Sequence, residues 1–243
     1  RGLGGFGGRR DAGPTGARST LADGVAEMGG WLLSSDATVD GMPAAMWVES
    51  PLLRLQAMPE VKVTPRTTVF GYMDHNLLTL AERRTDHLAN PQATARERLW
   101  KVRAKQVVLA TGAHERPLVF SNNDLPGIML ASAVSTYIRR YAVLPGKRVV
   151  VFTNNDHGYD AAFALKDAGA AVTVVDARAT PDGDRSTRAR QQGMEILAGH
   201  VVVEATGGKA VTGVNLYKLN NQGELAGAAG SRSCDLLAMS GGF

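Results

Sequence analysis

Lys147-Arg148-Val149-Val150-Val151-Phe152-Thr153-Asn154-Asn155-Asp156 is the stretch that decides the fold class. Val149 to Phe152 is a short, continuous, β-branched run of the kind that fills a strand buried on both faces, and Thr153 to Asp156 has turn chemistry. Helical spacing follows from Tyr159 to Asp167, Gly169 closes that helix, and Ala171-Val172-Thr173-Val174-Val175-Asp176 reads as a second strand. The sum is a βαβ half-unit, which places the protein in the α/β class with a largely parallel sheet.

Working outward, a second unit of the same kind begins near the amino end. Ala17 to Asp23 reads as the second strand of such a pair, and Glu27-Met28-Gly29-Gly30 as the loop after it. Where its first strand and glycine turn should stand, the sequence offers Arg1-Gly2-Leu3-Gly4-Gly5-Phe6-Gly7-Gly8-Arg9-Arg10, which has no β-branched residue; residues 1–16 are predicted to be disordered. Pro43 suits the first turn of a helix running to about Met58, and Pro51 is predicted to kink or split it. Further strands are predicted at Val61 to Val63, Thr67 to Met73, Asn76 to Glu82, Leu99 to Arg103, Lys105 to Ala110, Val201 to Glu204, Val211 to Leu219 and Asp235 to Met239. Asp86 to Ala95 reads as the loop joining two antiparallel strands.

Composition narrows the function classes. A chain of 243 residues can bury a core without metal or disulfide support, and Cys234 is the single cysteine, so no internal bridge exists. The 27 Lys+Arg against 23 Asp+Glu leave a net charge of +4, spread as short pairs such as Arg83-Arg84 and Arg139-Arg140 that read as solvated surface. With 3 Trp, 5 Tyr and 6 Phe and no gathered basic face, a nucleic-acid partner is not expected. No apolar run reaches the ~20 residues of a bilayer span and no secretory pattern opens the chain, which predicts a soluble, cytoplasmic protein with no membrane partner.

The candidate chemistry lies at strand ends. Ala110-Thr111-Gly112 closes the apolar run Lys105 to Leu109, and a residue without Cβ there lets backbone approach a dinucleotide. Ser240-Gly241-Gly242 repeats that arrangement, and Met28-Gly29-Gly30 supplies a third turn. Together they predict a fold with two dinucleotide-binding (Rossmann-like) domains. The first is 1–124 with 233–243, incomplete at both ends, and 125–232 is an inserted second domain. Laid onto G-x-G-x-x-G, the inserted domain's turn reads Thr153-Asn154-Asn155-Asp156-His157-Gly158, so only the last glycine survives and its nucleotide site is degenerate. Asp176 stands where a ribose-binding acid would, and equally where a solvent-facing strand terminus would. The pairs Asp74-His75, Asp86-His87, His114-Glu115 and Asp156-His157 are adjacent in extended chain and point to opposite faces, so none is a ready dyad. No metal spacing or nucleophile elbow occurs, and no catalytic or metal-binding residue is assigned.

Arg66-Thr67-Thr68-Val69-Phe70-Gly71-Tyr72-Met73-Asp74-His75-Asn76, the run Leu99 to Pro117 with its Ala-Thr-Gly-Ala-His-Glu-Arg-Pro, and Lys147 to Asp156 resemble the alpha subunit of heterotetrameric sarcosine oxidase, from about Ala17 to Phe243. The resemblance implies an FAD/NAD(P)-binding region that holds NAD, with sarcosine demethylated at FAD and FMN on a partner subunit, and with beta, gamma and delta subunits as partners. It implies cofactor contacts at Asp23, Met28, Gly29, Gly30, Thr68, Val69, Ala110, Thr111, Gly112, Gly241 and Gly242. It also implies that the chain is a fragment, inactive alone, ending before the folate-handling domain. The family places a ribose-binding acid five residues before Gly29, where this sequence has Gly24, and an altered reading frame upstream of Ala17 would account for residues 1–16. Three other readings stand beside it. One is a subunit of a related FAD/NAD(P)-dependent amine or glycine dehydrogenase, and another is a flavin- and NAD(P)H-dependent disulfide or quinone reductase, which would need FAD and a cysteine pair. The third is a non-enzymatic docking scaffold.

Overall fold

The computed structural model describes residues 17–91 and 94–243, so the glycine-rich opening lies outside the described residues. Two compact units divide at Gly112/Ala113.

The first unit opens with β1 (Ser19–Ala22), a 3-10 turn (Gly30–Ser34), the short antiparallel pair β2 (Thr38–Val39) and β3 (Met42–Pro43), and helix α1 (Ala44–Gln56). β4 (Val61–Thr64) then pairs in parallel with β1, Ser19 opposite Val61 and Ala22 opposite Thr64. Helix α1 continues through Pro51, so the proline does not split it. The lost hydrogen bond is outweighed by packing: Ala44, Trp47, Val48 and Leu55 bury against Met28 and Leu32, and Trp47 Nε1 donates to Asp40 at 2.9 Å. An antiparallel meander follows, β5 (Thr67–Met73), β6 (Leu77–Arg83) and β7 (Glu97–Arg103), with residues of the Asp86–Ala95 segment joining the last two as the sequence predicts.

Lys105 to Ala110 forms no strand, a correction to the sequence reading. An apolar run becomes a buried parallel strand only where ladder partners flank it. Here Val108 and Leu109 are 74% and 68% exposed and pair with neither β1 nor β4.

The second unit contains β8 (Ile128–Leu130), α2 (Ala131–Tyr141), β9 (Arg148–Thr153), α3 (His157–Asp167), β10 (Ala171–Asp176), α4 (Asp184–Gln191) and β11 (Glu195–Ala198). After these come β12 (His200–Gly207), β13 (Val211–Leu219), β14 (Leu225–Ser233) and β15 (Leu236–Ser240). The sheet order is β11-β10-β9-β15-β8, parallel throughout, and β12-β13-β14 forms a separate antiparallel sheet. Alternation sorts the side chains: Val149, Val151, Val174, Leu236 and Ala238 face helix residues such as Tyr159, Phe163 and Leu165, whereas Val150, Phe152, Val175, Leu237 and Met239 face Val202, Val214 and Leu216.

This arrangement revises the predicted domain boundaries. β15 lies between β9 and β8, with Ala238 opposite both Val151 and Met129, so 233–243 belongs to the second unit and does not return to the first. Residues 113–124 belong there too, since Arg116 N–H donates to the Gly242 carbonyl at 2.7 Å and Ser121 bridges to Glu204.

Two outcomes follow from this packing. Leu237→Ala, at a side chain with 0% exposure in the middle of the sheet, is expected to destabilise the chain by about 2–5 kcal/mol in urea titrations. Cys234 is buried, and burial, then Asp235, pushes its thiol up to about 11 against a smaller opposing effect of Arg148. A folded-state pKa above the unfolded one gives stability that is complete below about pH 9 and lost as pH climbs toward 11. Native chain should therefore lose more stability than Cys234→Ala between pH 8 and 11, and superimposable curves would refute the shift.

Candidate functional site

In open α/β sheets a ligand binds beyond the carboxyl ends of the strands, where the strand order reverses. In the second unit that place is the end of β9 beside β15, and its turn is filled by its own side chains. Thr153 Oγ1 donates to the Asn155 carbonyl at 2.9 Å and accepts the Asn155 N–H at 3.1 Å. Asn155 Nδ2 donates to the Ser240 carbonyl at 3.0 Å, while Asn155 Oδ1 accepts the His157 N–H at 2.9 Å. That N–H opens helix α3, so the donor a pyrophosphate would use already has an acceptor. Gly158 keeps the packing role of the third glycine, since a Cβ there would come 2.6 Å from Thr153 Cβ.

The ribose position of this unit is also filled. Asp176 has 0% exposure, which corrects the solvent-facing alternative. Its Oδ1 accepts the Arg178 N–H and Nε at 3.0 Å each, and its Oδ2 accepts Tyr159 OH at 2.7 Å and Arg178 Nη2 at 2.8 Å. Arg178 Nη1 reaches on to Asp156 at 2.8 Å. Burial, then the bond to Asp176, pushes the Tyr159 phenol well above its ordinary value, and the bond to Asp176 holds Arg178 firmly protonated. The carboxylate thus has two donors on each oxygen and no capacity left for a ribose diol.

In the first unit the carboxyl end of the parallel pair is open and cationic. A cleft of about 340 Å³ is lined by Lys62 to Arg66 at the end of β4, and by Glu82, Arg83, Arg84, His87 and Arg98 of the meander and its loop. Arg83 Nη2 donates to the Gly24 carbonyl at 2.7 Å, which ties the cleft to the end of β1. Asp86 lies 3.5 Å from Arg66 and 3.6 Å from Arg83. Desolvation opposes its ionisation, but the His87 hydrogen bond and the two guanidinium charges outweigh that and hold the carboxyl below its ordinary range. Lys62 Nζ sits 4.1 Å from the Trp100 ring centroid, and Trp100 Nε1 donates to Glu82 at 2.8 Å. Five permanent cations, Lys62, Arg66, Arg83, Arg84 and Arg98, thus face the two carboxylates Glu82 and Asp86.

The residues predicted from sequence divide between the units. Asp23 directly follows β1, its carbonyl accepting the Thr67 N–H at 2.7 Å, and Thr68 and Val69 come next within β5, both exposed. Met28 and Gly29 are buried, and a Cβ on Gly29 would lie 2.9 Å from Leu33 and 3.0 Å from Val48; with φ at +133°, this glycine serves packing of the loop onto α1. Gly30 starts the 3-10 turn at φ +56°. Ala110, Thr111 and Gly112 lie in irregular chain, with Gly112 at φ +71°. Gly241 and Gly242 follow β15 in the second unit, against Arg116 and Asn155, so the expectation that they join the first domain's turns is corrected. Sequence alone reads Arg83-Arg84 as solvated surface, whereas the structure gathers them into the cationic cleft. The available signal is Arg66, a cation two residues after a parallel strand, together with Arg98 directly across from Glu82.

Among the described residues no helix is long and apolar enough to cross a membrane, and no group of three or more His, Cys, Asp or Glu side chains is placed to hold a metal.

The sequence is similar to sarcosine oxidase subunit alpha of Corynebacterium sp. (strain U-96), 43% identical over 239 residues that cover 96% of this chain and 25% of that protein. The same subunit of Rhizobium meliloti (strain 1021) is 40% identical over 234 residues, covering 96% of this chain and 22% of that one. The chain therefore spans about a quarter of the length of these relatives. Thioredoxin reductase of T. acidophilum has the same fold, with a TM-score of 0.73 at 16% identity over 99% of this chain and 74% of that structure. Residues 3–242 match the pyridine nucleotide-disulphide oxidoreductase model, and the chain belongs to that FAD/NAD(P)-binding family.

Proposed function

We propose that the chain is the dinucleotide-binding module of a sarcosine-oxidase-type alpha subunit, with the nucleotide held by the first unit. The observation that carries this reading is the contrast between the two strand-end sites. The first unit's parallel pair ends on a cleft with a surplus of positive charge, suited to an anionic dinucleotide. The second unit's turn has its helix N–H and its strand-end carboxylate already bonded internally.

In this reading a nicotinamide adenine dinucleotide lies across Asp23, Met28, Gly29 and Gly30, with its adenosine beside the exposed backbone of Thr68 and Val69, and Ala110 to Gly112 bordering it. Gly241 and Gly242 now serve the second unit's packing. Oxidative demethylation of sarcosine belongs to flavins, FAD and FMN, on a beta subunit, and gamma and delta subunits complete a cytoplasmic heterotetramer. The 40–43% identity to named alpha subunits supports this placement. The chain's own residues bind and orient nucleotide and supply no proton-transfer group to sarcosine.

Two measurements test the proposal. Purified chain given sarcosine should form no formaldehyde or peroxide, and turnover without a partner subunit would overturn it. A ligand that selects the folded state raises the unfolding midpoint, by about 2.7 kcal/mol of added stability at a hundredfold excess over Kd. Nicotinamide dinucleotide should raise the midpoint of native chain equally in Asp176→Asn, whose change lies in the second unit. Loss of the ligand effect in that variant would place the nucleotide at the wrong site.

A further inference from the structure

We infer that the first unit accepts one more parallel strand, contributed by a separate polypeptide segment, on the edge of β1 opposite β4 and beside Lys105 to Ala110. The occupant is an extended peptide of consecutive β-branched or apolar residues that ends in a glycine turn. The inference rests on a repetition within the molecule and does not depend on the nucleotide reading above.

The two units share one chain order. In the first, β1, α1, β4 and the antiparallel meander β5-β6-β7 are followed by Val107 to Ala110 and then Thr111-Gly112. In the second, β10, α4, β11 and the antiparallel sheet β12-β13-β14 are followed by Leu236 to Met239 and then Ser240-Gly241. The second unit also has β9, seated between β10 and β15 and paired in parallel with both. There Leu236, Leu237 and Ala238 are 1% exposed or less, whereas the corresponding run of the first unit leaves Val108 and Leu109 mostly exposed and in no strand. β1 shows the same open side. The Ser19 N–H donates to the Glu60 carbonyl and the Asp23 N–H to that of Thr64. The period of two then turns the N–H groups of Thr20 and Ala22 to the opposite edge, where the described residues provide no strand.

A strand in that place completes two things at once. It gives Thr20 and Ala22 ladder partners, and it covers Val107 to Ala110 as β9 covers Leu236 to Met239. The central strand of a parallel sheet is apolar on both faces, the composition that Val149 to Phe152 has in β9. A glycine turn is the fitting end for it, since the first strand of a dinucleotide fold turns tightly into its helix there. Residues 1–16 hold no two adjacent large apolar side chains, so their sequence lacks this chemistry and a separate segment is the fitting occupant.

The probe is a synthetic peptide of Lys147 to Gly158 carrying Thr153→Gly and Asn155→Gly, which joins an apolar strand to a full G-x-G-x-x-G turn. Added to the 243-residue chain without nucleotide, it should slow amide exchange at Thr20, Ala22 and 107–110 by at least about tenfold. Exchange at 171–176 and 236–240 should stay as it is. The same peptide with Val150→Pro lacks a ladder N–H and should have no effect. In the chain, Leu109→Asp should abolish the protection, because the strand would bury an unpaired charge. That variant should keep the thermal midpoint of the peptide-free protein, since Leu109 is exposed there. Absence of protection by the probe peptide, or protection that survives Leu109→Asp, overturns the inference. So does protection confined to 171–176 and 236–240, which marks exchange with β9. Protection of 107–110 before any peptide is added overturns it as well: a rise with protein concentration makes the occupant a second copy, and independence of concentration makes it another part of the same chain.

Discussion

A backbone N–H at the start of a helix that is already donating to the protein's own side chain is not free for a phosphate, and most of this molecule's functional logic follows from that constraint. In the second unit the acceptor is Asn155 Oδ1 on the His157 N–H, and the same side chain bonds Ser240 across the neighbouring strand end. A glycine at position 155 would leave the turn without a side chain and the helix donors free for a ligand. The asparagine instead ties β9, β15 and α3 to one another. Asp176 repeats the pattern at the ribose position, where four protein donors replace a ligand. The parallel sheet is intact, with Leu236 to Ser240 between β9 and β8, and its binding crevice has become part of its own structure.

The first unit shows the complementary condition. Its carboxyl-end cleft gathers charges that do not cancel, and a site with unbalanced positive charge at a strand end is one whose electrostatics are completed by an anion. Asp86 shows how far the protein compensates internally: it bridges Arg66 and Arg83 and is held ionised by them, yet Lys62 and Arg84 form no ion pair among the described residues. The meander that supplies Arg83, Arg84 and Arg98 is therefore part of the site as well as a cover for the unit.

Strands flanked by partners were legible because their side chains record burial directly. Thr67–Met73, Ala171–Asp176 and Val211–Leu219 fall where the apolar patterns put them. Lys105 to Ala110 carries the same pattern, but a strand is a property of its neighbours as well as of itself, and among the described residues this run has no ladder to join. The membership of β15 was misread for a related reason. Leu236 to Ser240 announces a buried parallel strand, yet nothing local says which sheet receives it. Pro51 was predicted to break α1 on backbone grounds, and the buried Trp47, Val48 and Leu55 outweigh it. The degenerate turn at Thr153 to Gly158 was readable as an absence of glycines. That Asn155 fills the vacancy left by them was not readable, because its partners Ser240 and His157 lie on different elements.

Amide hydrogen exchange of the whole chain with and without saturating dinucleotide tests the central claim most directly, since it reports both strand-end sites in one experiment. Protection should develop at 22–30 and 66–69 in the first unit and leave the amides of 153–158 and 240–242 unchanged. Protection confined to 153–158 would contradict the account, because the internally bonded turn would then be the one that carries the nucleotide.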